Sequence, residues 1–220
     1  MIQLPFRDRL EAGRFLGAEL ARRAYGPNPI VLALPRGGVP LGQAVADALK
    51  APLDVVIVRK LGVPWQPELA MGAIAGDTRV LDFQLIRDLR IPDEEIEKVV
   101  RRETEEWKRR ERLYRGGQPA PNLAGRTVFL VDDGLATGST MSAAARHVRS
   151  QQPGRLVIAV PVGSSEACHR LKKEADDCVC LATPEPFYAV GEWYLEFGQV
   201  SDDQVCAVLQ HYIAQPERHA

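Results

Sequence analysis

Apolar residues in this chain fall into short continuous runs, separated by glycine turns and by stretches with helical spacing. I-V-L-A-L at 30 to 34, L-D-V-V-I-V at 53 to 58, T-V-F-L-V at 127 to 131, R-L-V-I-A-V-P-V at 155 to 162 and C-V-C-L-A at 178 to 182 each have the length of a strand. Runs apolar on both faces suit strands covered on both sides. Between them the period lengthens. Residues 8 to 24 predict an amphipathic helix carrying Leu10, Phe15, Leu16 and Leu20 and ending before Gly26-Pro27. Further helices are expected from the P-R-G-G turn to about Leu49, over 138 to 150 and over 164 to 175. Strand, glycine turn, helix and strand within so short a span is a βαβ unit, so the fold class is α/β with a central, mainly parallel sheet flanked by helices.

Two stretches break this rhythm. M-G-A-I-A-G-D-T-R-V-L-D-F (71 to 83) predicts a β-hairpin turning at Gly76-Asp77. Residues 93 to 115 predict a solvated helix with equal numbers of acids and bases and an incomplete apolar stripe of Ile96, Val99, Val100 and Trp107. Glu94 with Lys98, Glu97 with Arg101, Glu105 with Arg109 and Glu106 with Arg110 stand in the favourable acid-before-base i,i+4 order. The final third closes with P-F-Y-A-V-G-E-W-Y-L-E-F-G, dense in aromatics, and then a short terminal helix.

Composition narrows the function. A net charge of -1 over 220 residues provides no general field for nucleic acid or an anionic membrane, so anion handling must be local. The start lacks a signal-peptide pattern and no segment approaches a membrane-spanning apolar run, which predicts a cytoplasmic protein. Cys168, Cys178, Cys180 and Cys206 lack the spacing of a metal site and are expected as reduced thiols; the histidines form no metal-ligand motif.

The candidate chemistry lies in F-L-V-D-D-G-L-A-T-G-S-T, residues 129 to 140. Side chains alternate along a strand, so Asp132 and Asp133 can share a pocket only where strand gives way to loop. In open parallel sheets that carboxyl edge binds ligands. Gly134 and Gly138 permit tight backbone turns. Thr137, Ser139 and Thr140 then bring hydroxyls to a helix N-terminus whose free N–H groups suit a phosphate monoester. A plainer alternative makes the acids turn residues and Thr137 or Ser139 a helix cap. The lysine of a nucleotide P-loop is absent.

V-D-D-G-L-A-T-G-S-T resembles the signature of the type I phosphoribosyltransferases, V-[DE]-D-x-x-x-T-G-x-T, in the form seen in adenine phosphoribosyltransferases, including the Met141 and Ala143-Ala144 that follow. The resemblance implies the type I phosphoribosyltransferase fold, with a small C-terminal hood and a helical insert. It implies that Ala136, Thr137, Gly138, Ser139 and Thr140 wrap the 5-phosphate of phosphoribosyl pyrophosphate (PRPP), while Asp132 and Asp133 reach the ribose hydroxyls. Carboxylates and phosphate would then be kept a ribose length apart.

Other segments fit the same pattern. L-P-R-G-G-V-P (34 to 40) falls where the family places its pyrophosphate loop, with Arg36, Gly37 and Gly38 as ligands and a cis peptide expected near Arg36-Gly37. V-R-K-L-G (58 to 62) ends the predicted second strand with Arg59-Lys60 and makes Lys60 a second pyrophosphate ligand; two solvated cations is the alternative. Residues 64 to 117 occupy the place of the family's mobile loop, and Glu68 is a candidate near the site. The aromatic tail resembles the hood of hypoxanthine-guanine phosphoribosyltransferases, making Tyr188 or Trp193 a base-stacking residue, unless the cluster merely packs the terminal helix. Ala136 stands where those enzymes carry an aspartate that handles the purine ring proton, so oxo-purines are poor candidate acceptors.

The resemblance therefore implies one domain over residues 1 to 220, with an insert at 64 to 117 and a hood from 183. It implies transfer of phosphoribosyl from PRPP to a nitrogenous acceptor with Mg²⁺, the metal held by substrate and water with no direct protein ligand expected, Asp132 or Asp133 being the candidates if there is one. Partners would be small molecules, with no nucleic acid or membrane, and there is room for a homodimer. A regulatory PRPP sensor and a hydrolase or phosphorylase acting on a phosphorylated ribose are the competing readings.

Overall fold

The computed structural model describes residues 3–213. Five strands, β1 (Pro29–Ala33), β2 (Leu53–Val55), β6 (Thr127–Val131), β7 (Arg155–Val162) and β8 (Asp177–Ala182), form a parallel sheet in the order β2-β1-β6-β7-β8. The two-residue period of the strands sorts the apolar runs between two cores. Val31, Ala33, Phe129, Val131, Val157 and Ala159 face one, with α1 (Arg9–Ala21), α2 (Gly38–Leu49) and α7 (Asp202–Ile213). Leu32, Leu34, Val128, Leu130, Ile158 and Val160 face the other, with α5 (Ser139–Ser150) and α6 (Ser165–Leu171). The expected α/β architecture is present, although α6 stops four residues short of the predicted end.

Helices α1 and α2 touch backbone to backbone. A methyl group at Gly13 would lie 2.7 Å from the Leu41 carbonyl oxygen, and one at Gly17 2.7 Å from the Ala48 methyl. Only the bare glycine surface lets α1 approach this closely, and this fixes the position of its first turn.

The run L-D-V-V-I-V is not one strand. β2 ends at Val55, and after Ile57 the chain starts a separate antiparallel sheet of β3 (Val58–Val63), β4 (Gln66–Ala75) and β5 (Thr78–Leu81). Val56 and Ile57 remain buried in opposite cores, so unbroken apolarity conceals the change of partner. The indole of Trp107 donates to the Ile57 carbonyl at 2.9 Å, a side chain taking the place of a strand neighbour. The Gly76-Asp77 turn is as predicted, but β4 starts five residues earlier than the hairpin pattern indicated.

Helices α3 (Phe83–Asp88) and α4 (Asp93–Arg115) close a third core around Leu61, Met71, Ile74, Ile96 and Val99. Of the expected α4 pairs, Glu94–Lys98 and Glu106–Arg110 form, at 3.1 and 2.8 Å. Glu97 instead meets Arg79 of β5 at 2.7 Å, and Arg109 pairs with Glu106. The cysteines are free thiols, and among the described residues no helix is long and apolar enough to cross a membrane.

Candidate active site

Strand order places the candidate residues together. From β1 the chain crosses to β2 on one side, and after the antiparallel excursion it re-enters beside β1 as β6 and proceeds outward on the other side. The helices that follow, α2 and α5, pack in opposite cores, which opens a crevice at the carboxyl ends of β1 and β6. Two loops occupy it, residues 34–38 and 132–138.

The first loop is a tight turn: the Gly38 amide donates to the Leu34 carbonyl at 3.0 Å and the Val39 amide to Arg36 at 3.1 Å. Its cis peptide is Pro35–Arg36, one bond before the expected position. Gly37 is already in right-handed helical conformation as the N-cap of α2, so the turn has to be completed upstream. Both glycines press against the acids. A methyl at Gly38 would sit 3.1 Å from Asp132 Oδ1 and one at Gly37 2.9 Å from Asp133 Cγ, with Asp133 Oδ2 nearer still.

Each acid has one oxygen engaged by the protein. Asp132 Oδ1 accepts from the Asp133 amide at 2.9 Å, and Asp133 Oδ2 accepts from Arg9 Nε at 2.8 Å. Among the described residues no hydrogen bond reaches the second oxygen of either. Burial, and next the neighbouring Asp133 carboxylate, push Asp132 well above the usual carboxylate range. Burial also raises Asp133, opposed by its hydrogen bond to Arg9. The Tyr194 hydroxyl donates to the Asp133 carbonyl at 2.6 Å, fixing the backbone between the acids and the glycine turn.

The second loop is anchored from below. The Leu135 amide donates to the Val162 carbonyl at 3.0 Å, the Ser164 amide to Leu135 at 2.8 Å and Ser164 Oγ to Ala136 at 2.8 Å, while Arg170 donates to the Thr137 carbonyl. Carbonyls are thus consumed, whereas among the described residues the amides of Ala136, Thr137, Gly138 and Thr140 find no acceptor and that of Ser139 has only Thr137 Oγ1, at 3.5 Å. Gly138, at φ +69°, turns the chain into α5, whose first intrahelical bond here is Ser142 N–H to the Gly138 carbonyl at 2.9 Å. The amides ahead of it have no helical acceptor. Ala136, Thr137, Ser139 and Thr140 are exposed, and the Thr137 and Ser139 hydroxyls lie 3.1 Å apart. The arrangement suits an oxyanion. A cavity of about 460 Å³ adjoins Ser139, with Arg146 and Arg170 on one wall and Gly72 and Phe83 of the antiparallel layer on the other.

Several predicted residues are placed differently. Arg36 Nη1 lies 3.9 Å from Asp202 at the start of α7, a carboxylate that also accepts from the Tyr114 hydroxyl at 2.6 Å. Lys60 is in β3, not at the end of the second parallel strand, and its ammonium meets the Glu68 carbonyl at 3.0 Å and carboxylate at 3.2 Å. Trp193 stacks on Phe187 at 6.2 Å and packs on the sheet core; its indole N–H is buried and finds no acceptor among the described residues. Half-buried, it contributes to the tail's own packing. Tyr188 is 77% exposed and remains available. Sequence reasoning missed Arg9, Tyr194, Ser164 and Arg170, because nothing local marks a polar residue whose partner lies far along the chain.

Residues 7–200 match the family model described as phosphoribosyl transferase domain. Two Mycobacterium tuberculosis proteins, "Putative phosphoribosyl transferase MT0597" and "Putative phosphoribosyl transferase Rv0571c", are each 46% identical over 205 residues. That alignment covers 93% of this chain and 46% of each relative, so the chain spans about half the length of the curated relatives it matches. The crystal structure of TT1426 from Thermus thermophilus is similar at TM-score 0.81 and 44% identity, covering 94% of this chain and 98% of that one. With the family model matching most of its length and the parallel sheet arranged as described, this chain belongs to the phosphoribosyl transferase domain family.

Proposed function

We propose that the chain transfers 5-phosphoribosyl from PRPP to a nitrogenous base or related acceptor, releasing pyrophosphate. The observation that carries this reading is the alignment of three subsites in one crevice: an open amide-and-hydroxyl cradle, two acids with one free oxygen each, and a glycine turn pressed against those acids. In this assignment the cradle from Ala136 to Thr140 accepts the 5-phosphate. The free oxygens of Asp132 and Asp133 accept from the ribose 2- and 3-hydroxyls. The diphosphate lies along Gly37 and Gly38, beside Arg36.

The acceptor nitrogen supplies the electron pair that forms the bond to C1 as the C1–O bond to pyrophosphate breaks; the departing diphosphate takes that bond's pair, and the acceptor's ring proton passes to solvent. Mg²⁺, when bound, neutralises the diphosphate. Asp132 and Asp133 are the residues that fit it, and with one free oxygen each they leave most of its coordination to substrate and water. Holding the sugar at both ends lowers the barrier by orientation, and the cationic and amide groups stabilise charge on the leaving group.

Arg36 stands on the crevice's own first loop with its guanidinium turned to Asp202, and Lys60 lies away in β3, yet little holds either side chain where it is. Both ion pairs are long or exposed, with Glu68 at 96% exposure, and such pairs contribute about 0–1 kcal/mol. A diphosphate displaces them easily. Residues 1–220 are read as one domain, with 64–117 as insert and 183–220 as hood, working in the cytoplasm where PRPP and Mg²⁺ are available. Within the insert, Trp107, Tyr114 and Arg115 bond α4 to the rest of the chain, which leaves the β3–β4 turn with its exposed Trp65 as the part free to close.

The test is pyrophosphate release by the purified chain with PRPP, Mg²⁺ and a panel of adenine, hypoxanthine, guanine, orotate and simple amines. Release that depends on an acceptor and disappears in Asp133→Asn and Thr137→Ala is expected, with hypoxanthine and guanine the poorest acceptors because Ala136 carries no acid. Tight PRPP binding without turnover on any acceptor would favour a sensor. PRPP affinity unchanged in both variants would remove the site.

A further inference from the structure

We propose that Arg9 is the positioning residue of the acid pair: its guanidinium holds one oxygen of Asp133 and leaves the other aimed at the ribose, and the hood holds Arg9. The proposal rests on the reading of Asp132 and Asp133 as ribose ligands. No signature includes Arg9, which lies in the first turn of α1, 124 positions from its partner.

Three contacts fix the guanidinium. Nε donates to Asp133 Oδ2 at 2.8 Å, Nη1 donates to the Gly198 carbonyl at 2.8 Å, and the guanidinium carbon lies 3.8 Å over the Phe197 ring. Phe197 in turn stacks on Tyr194 at 5.0 Å, and Tyr194 donates to the Asp133 backbone carbonyl. The circuit is closed: hood ring on hood ring, Arg9 on the outer ring, Asp133 held at both its carboxylate and its carbonyl. The Arg9 and Asp133 side chains are only 12% and 15% exposed, so this pair is shielded from the screening that makes surface bridges weak.

The N-terminal segment enters the circuit through its backbone. The Phe6 amide donates to the Trp193 carbonyl and the Leu195 amide to Phe6, both at 2.8 Å, and the Glu196 amide donates to Arg7 at 2.9 Å. Residues 6–7 therefore run as a strand-like strap along the hood and deliver Arg9 to the acid at the start of α1. The hydrogen-bonding plane of the guanidinium meets Asp133 while its face meets Phe197, a division that lysine cannot reproduce. With Oδ2 covered by Arg9 and by Gly37, the free oxygen left to a hydroxyl is Oδ1.

Arg9→Met, Arg9→Lys and Phe197→Leu are compared for Mg²⁺·PRPP Kd by calorimetry and for KM and kcat. Removal of a residue that orients a liganding group typically costs about 10–100-fold in affinity. Arg9→Met is expected to raise Kd and KM for PRPP by about tenfold or more with the acceptor KM unchanged, Arg9→Lys by clearly less, and Phe197→Leu by a few-fold. In an Asp133→Asn background the Arg9→Met effect should vanish; equal losses in both backgrounds overturn the proposal. A crystal structure of unliganded Arg9→Met adds a readout independent of PRPP. An Asp133 carboxylate turned from its present orientation supports the positioning role even if the wild-type chain binds no PRPP, whereas an unmoved carboxylate overturns it. If Arg9→Met does not fold, the Arg9→Lys and Phe197→Leu structures and affinities decide, and wild-type values in both overturn the proposal.

Discussion

Gly37→Ala gives the sharpest test of the crevice geometry, because one added methyl falls between its two loops. The backbone tolerates alanine: φ -59° and ψ -35° are ordinary helical values. The space does not. The new Cβ would stand 2.9 Å from Asp133 Cγ and 3.4 Å from Arg9 Nε, with Asp133 Oδ2 nearer. Comfortable contacts begin at about 3.5 Å, so the carboxylate has to retreat by roughly 1 Å at its oxygen, out of the seat in which it meets Arg9 at 2.8 Å, with the guanidinium forced to follow to keep the bond. Forcing a methyl into an occupied site typically costs about 1–3 kcal/mol, and an overlap with a carboxylate held by Arg9 falls at the upper end, about 2–3 kcal/mol. Alanine at a helical position returns about 0.5–1 kcal/mol, for a net loss of about 1–2 kcal/mol.

For a chain of this size that lowers Tm by about 2–8 °C, read by scanning calorimetry and checked by urea midpoint at constant m. Adding Asp133→Ala removes the obstructed carboxylate, so the double variant should be more stable than the sum of the singles by at least about 1 kcal/mol. A Gly37→Ala protein as stable as wild type, or more stable, with additive behaviour in the double variant, would refute the contact.

Gly134→Ala places a methyl 2.9 Å from Val190 Cγ2 and 3.1 Å from the Val162 carbonyl, so it should lift the hood from the acid loop; hydrogen exchange at Phe6 and Leu195 is expected to accelerate before global unfolding, and unchanged protection would count against it. Tyr114→Phe removes the 2.6 Å bond to Asp202 and should cost about 1 kcal/mol by urea titration, leaving that carboxylate to Arg36 and Arg109; a neutral substitution would show that water replaces the hydroxyl. His147 should make stability acid-sensitive. Burial, with Arg115 contributing and Asp77 opposing, lowers its folded pKa, and the ring is engaged by Thr78 at 3.1 Å and Gln151 at 3.0 Å. The unfolded chain then binds the proton first, so stability falls as pH drops through the ordinary histidine value of about 6.5 and levels off below the folded value. His147→Gln should flatten that part of the profile in urea midpoints measured between about pH 7.5 and 5; an identical slope would exonerate the histidine.

How far the sequence discloses this molecule depends on the range of each interaction. The parallel strands could be read directly because burial on both faces is a property of each run alone, and the crevice followed because a strand end, two glycines and a helix start are contiguous in V-D-D-G-L-A-T-G-S-T. Register and partner choice are not local. Val56 and Ile57 are as apolar in the crossover as they would be in a strand, and only the Trp107 indole on the Ile57 carbonyl shows that pairing has ended. The same limit explains the aromatic tail, where base-stacking and packing readings could not be separated: the Trp193 and Phe187 rings stack on each other, whereas Tyr188, two positions from Val190, does not enter the core. Arg9 is the extreme case. On its helix it is one more basic residue before an acid, and its significance is acquired from Asp133, Phe197 and Gly198, all far along the chain. Acids in a crevice are visible in sequence, but the residues that decide which of their oxygens is free are visible only in the fold. If the crevice holds PRPP as proposed, variation at Arg9, Tyr194 and Phe197 should therefore alter its affinity without touching a residue of V-D-D-G-L-A-T-G-S-T.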